Sequence, residues 1–132
     1  MASERPHPVT ERPMDAPLLT FDLPALLAQL KREDTWANAA RTGLTLLKGQ
    51  RLRIMLVALH AGTTIPWHQA DGPISVQVVE GTLTFRTEAQ ALTLQPGQLL
   101  TLQAGIRHAV EAVEESAFLL TMATETPHSV ES

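Results

Sequence analysis

Leu23, Leu26, Leu27 and Leu30 recur at helical spacing, and Asp22 stands before Leu23 and Pro24 as an N-cap followed by a first-turn proline. The pattern predicts one short amphipathic helix that ends between Lys31 and Asp34. Its leucine stripe must pack on something, most simply the outside of the domain that follows, and Trp36 can serve the same packing. Beyond residue 43 the period changes. All seven glycines (Gly43, Gly49, Gly62, Gly72, Gly81, Gly97 and Gly105) lie between 43 and 105 and cut the chain into apolar runs of strand length. Strands are predicted over 44–48, 51–60, 74–79, 82–86, 91–94, 99–102, 108–113 and 117–123. Lys48-Gly49, Glu80-Gly81, Pro96-Gly97 and Ala104-Gly105 read as tight reversals that place a glycine where positive φ is needed. Eight short, mostly antiparallel strands suit a sandwich or a closed barrel. Several strands are apolar at both parities, as in Ile74, Val76 and Val78 beside Val79, and Leu119 beside Leu120. Such strands are covered on both faces, here by the leucine helix or by a second subunit, and a homodimer is expected.

Four of the nine prolines (Pro6, Pro8, Pro13 and Pro17) fall among charges at the start of the chain. The expected division is an arm over 1–19, the helix and its lead-in over 20–40, a β-domain over 41–124 and a tail over 125–132. At 132 residues, with 44% hydrophobic and 18% charged positions, the chain has the size and composition of one globular domain. It has no cysteine, which excludes disulfide scaffolds, thiolate-bound zinc, iron–sulfur clusters and thiol catalysis. The formal net charge of -4, with no basic patch, argues against nucleic acid as a partner. No apolar run approaches a membrane span and the N-terminus lacks the apolar core of a signal peptide, so a cytoplasmic protein is expected.

The segment from Gly62 to Gly81 carries the most specific signal. Gly62, His68 and Gly81 resemble, in register, the first motif of the cupin superfamily, the RmlC-like jelly-roll proteins. That motif runs Gly, five residues, His-x-His, three or four residues, Glu, six residues, Gly. Gly97, Gly105 and His108 are similar to the second motif, with Gln103 and Ala112 where the family has Pro and Asn. The resemblance covers about residues 43–123 and is to small bacterial cupin-domain proteins. It implies an all-β fold, a double-stranded β-helix or jelly-roll barrel preceded by one short α-helix.

It also implies where a metal would sit. Metal-binding cupins use two His and a Glu from the first motif and one His from the second. Carried over position by position, His68 and His108 remain, while Ala70 and Ile74 replace the second His and the Glu. Two neutral imidazoles neither neutralise nor enclose a divalent ion, so no tightly bound metal is expected. His60, at the end of a long strand, is the candidate third imidazole for a weaker site holding Zn, Fe, Mn or Ni.

Strand parity turns residues 68, 70, 74, 76 and 78 toward one interior, an apolar lining with polar points. Two function classes follow. One is a small-molecule-binding protein with its pocket between His68 and His108, lined by Ile74 and Val76, with Trp67 and Arg107 as further ligand contacts. The other is a metal-dependent dioxygenase or isomerase with a reduced His set. The sugar-nucleotide epimerases of the superfamily offer a metal-free precedent, although their His-Asp pairing has no counterpart in this chain. Gln69 and Gln77 have outward parity and Asp71 reads as a turn residue, while Arg51 and Arg53, on one parity of a strand, read either as an anion-binding pair or, as alternate arginines usually are, as a solvated face or a salt-bridge rim. His7 and His128 fall in the two tails. Serine hydrolysis and dinucleotide binding lack their motifs.

Overall fold

The computed structural model describes residues 16–124. The first fifteen residues of the expected arm and the tail over 125–132 lie outside them. Helix α1 spans Leu23–Lys31, and the Asp22 carboxylate caps it by accepting from the Ala25 amide at 3.1 Å. A second helix, α2, covers Asp34–Asn38. The sequence reading anticipated a single helix, because five residues are too few to show a period.

Among the described residues nine strands follow: β1 (Arg41–Lys48), β2 (Leu52–Leu59), β3 (Thr64–His68), β4 (Ile74–Glu80), β5 (Leu83–Thr87), β6 (Ala91–Leu94), β7 (Leu99–Leu102), β8 (His108–Ala112) and β9 (Ser116–Ala123). They form two antiparallel sheets, β1-β2-β9-β4-β7 and β3-β8-β5-β6, which face each other as the two halves of an all-β jelly roll. Strand β3 is the one that the periodicity missed. Pro66 and Trp67 interrupt its apolar pattern, and the register slips between Ile65 and His68. A proline is tolerated there because β3 is an edge strand whose outer side has no ladder partner.

Alternation within the five-stranded sheet sorts the side chains into two buried clusters. Val57, Ile74, Val76, Val78 and Phe118 face the opposite sheet and meet Leu83, Phe85, Leu94 and Val110. Leu44, Leu46, Leu56, Ala58 and Ala117 face outward and meet Leu26, Leu27, Leu30 and Trp36. Each well-buried leucine of that stripe contributes about 2 kcal/mol of hydrophobic stabilisation. Lys31, at the end of α1, ties the helix to the sheet through Glu80 and Glu115, the latter at 2.6 Å. The strands that are apolar on both faces are thus covered by the chain's own helices. The argument from doubly apolar strands to a homodimer loses its premise on this face.

Candidate functional site

Between the sheets lies a cavity of about 580 Å³. Its apolar lining comes from both halves of the roll: Met55 and Val57 from β2, Ile74 and Val76 from β4, Phe118, Leu120 and Met122 from β9, against Ile65, Phe85 and Val110. The polar points are His68, His108, Gln69, Asp71, Thr124, Arg41 and Arg53.

The two imidazoles are brought together by the sheet itself. His68 ends β3, His108 begins β8, and they are direct partners in the antiparallel register. Their rings meet edge to face, with centroids 4.2 Å apart and an interplanar angle of 60°. Each ring is fixed by the same local device. Nδ1 of His68 donates to the Pro66 carbonyl at 2.8 Å, and Nδ1 of His108 donates to the Ile106 carbonyl at 2.9 Å. A carbonyl can only accept, so Nδ1 carries the proton in both rings. Each neutral ring then keeps a lone pair on Nε2, available as a hydrogen-bond acceptor or a base.

The environments differ. His68 is exposed at the mouth. His108 is buried and stacks on Phe85, with centroids 5.2 Å apart and planes 12° from parallel. Desolvation lowers the His108 pKa from its ordinary value. The Ile106 carbonyl opposes that shift, and the neighbouring His68 adds to it. At neutral pH His108 is a neutral acceptor inside an apolar wall.

Other sequence-predicted residues fall into three groups. Ile74 and Val76 line the cavity as expected, and Ala70 lines it too. His60 does not join the pair. It projects from the opposite face of the sheet, its Nε2 donating to the Trp36 carbonyl at 2.7 Å and its ring stacked on Trp36 with centroids 3.6 Å apart. The expectation of His60 as a third ligand is corrected on that ground: strand alternation sends it to the helix side. Trp67 and Arg107 are also outside the lining. Arg107 lies over the Trp67 ring, 5.7 Å from its centroid, and pairs with Glu88 at 3.4 Å on the exposed surface. Trp67 precedes His68 on a strand and so points to the other side.

Three lining residues run against the sequence reading. Gln69 and Asp71 follow the last residue of β3, so strand parity no longer governs them and the loop turns both toward the mouth. Arg53 alternates with Met55 and Val57 along β2 and therefore faces the cavity rather than a solvated rim. The signal was present in the sequence, because Met55 and Val57 are the residues that β2 must give to the core. Among the described residues, no group of three or more His, Asp and Glu side chains is placed to hold a metal ion.

The family model for the Cupin domain matches residues 55–124. No curated protein sequence matches the chain. Among solved structures, a conserved protein of unknown function from Streptococcus pyogenes is similar at 28% identity. Its TM-score is 0.61, with 64% of this chain and 74% of that one covered. A cupin-2 domain containing protein from Shewanella frigidimarina is similar at 20% identity and a TM-score of 0.65, over 80% of this chain and 95% of that one. KdgF from a Halomonas species is similar at 18% identity and a TM-score of 0.60, over 65% of this chain and 82% of that one. The likenesses at 20% and 18% identity carry the fold and nothing finer.

Proposed function

The chain belongs to the cupin-domain family, and on that premise we propose that it binds a small organic molecule in the cavity between its sheets, without a tightly held metal. The observation that carries the reading is the lining itself. About 580 Å³ lined mostly by aliphatic and aromatic side chains and open at a mouth where polar residues gather is the build of a small-molecule site. His108 Nε2 supplies a fixed acceptor within the apolar wall, and His68 supplies a second one at the entrance.

The donor set argues against a resident metal. Ala70 and Ile74 present hydrocarbon to the cavity at the positions where metal-binding relatives carry His and Glu, and His60 stands on the far side of the sheet. Two neutral imidazoles leave a divalent charge uncompensated in a low-dielectric space. No membrane is invoked, since among the described residues no helix is long and apolar enough to cross one.

Isothermal calorimetry and thermal shift against sugars, organic acids and phenolics test the proposal. A ligand at a hundred times its dissociation constant adds about 2.7 kcal/mol to stability. Val76→Trp fills the cavity and is expected to abolish that gain while circular dichroism still shows the β fold. Elemental analysis of protein purified without chelator decides the metal question. Near-stoichiometric Fe, Mn, Ni or Zn overturns the metal-free reading in favour of a dioxygenase or isomerase.

A further inference from the structure

Arg53 is the anomaly of the cavity. Its Nε is shut off from solvent and has no hydrogen-bond partner, and among the described residues no carboxylate pairs with its guanidinium. The residue as a whole is half-buried, but a shut-off N–H left unsatisfied is costly, and a bound acceptor is what completes such a donor.

The sheet register places this cation. Arg53 pairs with Met122 of β9, and Met122 pairs with Ile74 of β4, so Arg53 and Ile74 stand on one cross-strand rung. Two strand spacings separate them, roughly 10 Å. The guanidinium therefore shares a level of the cavity with Ile74, the site of the missing carboxylate. Where metal-binding relatives set an anionic ligand against a cation, this chain has hydrocarbon at 74 and a fixed cation two strands away. Arg41, at the start of β1, lines the same space with a second guanidinium. Among the described residues Asp71 is the one carboxylate on the lining, and it is exposed at the mouth without an ion pair to Arg53.

Building on the binding function proposed above, we infer that the ligand is an apolar-bodied carboxylic acid, its carboxylate held by Arg53 and its hydrocarbon lying between the sheets. A carboxylate is the planar, two-oxygen acceptor that a guanidinium fork fits, Nε included. The mostly aliphatic and aromatic lining then selects for a body of low polarity.

The test is calorimetry on the full chain with matched probes: phenylacetate against phenylacetamide, octanoate against octanamide, and phenyl phosphate. The carboxylates are expected to bind ten- to a hundredfold more tightly than their amides. Arg53→Met keeps the side-chain stem and removes the charge. It is expected to erase that preference by weakening acid binding far more than amide binding, and not to lower the melting temperature, since it removes an unsatisfied buried donor. Arg41→Met provides an independent variant, expected to reduce the preference less. Equal binding of acids and amides by the wild type, or a preference that survives Arg53→Met, overturns the inference while leaving small-molecule binding intact. Tighter binding of phenyl phosphate than of either acid overturns the carboxylate assignment. If neither acids nor amides bind, both this inference and the binding function fall.

Discussion

His108 shows how much one position can hold. Its Nδ1 is committed to the Ile106 carbonyl, its face to Phe85, and its ring also meets His68, which leaves Nε2 as the free atom. Burial holds its pKa below the usual histidine value of about 6.5, so the unfolded chain takes up the proton first as the pH falls. Stability is therefore expected to be full above about pH 6.5. It should decline as the pH drops below that value and level off once folded His108 is itself protonated. Urea denaturation between pH 7.5 and 5.5 measures this, and His108→Gln should flatten the wild-type decline. Equal slopes in the two proteins would show that His108 does not carry the linkage. The two histidines were legible in the sequence because Gly62, His68 and Gly81, and Gly97, Gly105 and His108, resemble the two cupin motifs. Gly62 and Gly105 have φ values of 83° and 79°, which a side chain resists. Arg53 was read the other way because alternate arginines suggest a wet face. Only the need for Met55 and Val57 in the core reverses that assignment.

At the scale of elements, local chemistry and tertiary pairing divide the information. Helix α1 was readable from its cap, its first-turn proline and its leucine stripe, all of which act within a few residues. Strand β3 was not, because what makes Thr64–His68 a strand is its pairing with β8, forty or more residues away, rather than its own alternation. Helix α1 is also more than a decoration. It seals the outer face of β1, β2 and β9, the same strands whose inner face makes half of the cavity wall. Leu30→Ala, at a position only 3% exposed, is expected to cost about 2–5 kcal/mol, measured by chemical denaturation. It should leave ligand affinity unchanged once the protein is folded, because the stripe touches the sheet from behind. A loss of affinity without a loss of stability would mean that the helix shapes the cavity directly.

For the molecule as a whole, the sequence could say which residues face inward but not how far apart the two sheets stand. Parity identified Ile74, Val76 and Val110 as interior. A filled core and a cavity of about 580 Å³ have the same parity, and they differ only in the volumes that meet across the gap. Ala70, Ile74, His68 and His108, the four positions at which the cupin resemblance implies metal ligands, all border one space. If those positions converge, restoring two side chains should restore the chemistry. The double variant Ala70→His with Ile74→Glu is expected to bind Zn or Ni near one equivalent by elemental analysis. Its melting temperature should rise on adding metal and fall with chelator, because the new carboxylate is otherwise buried and uncompensated. The wild type should show neither response. A folded double variant that stays metal-free would mean that positions 70 and 74 do not converge on His68 and His108.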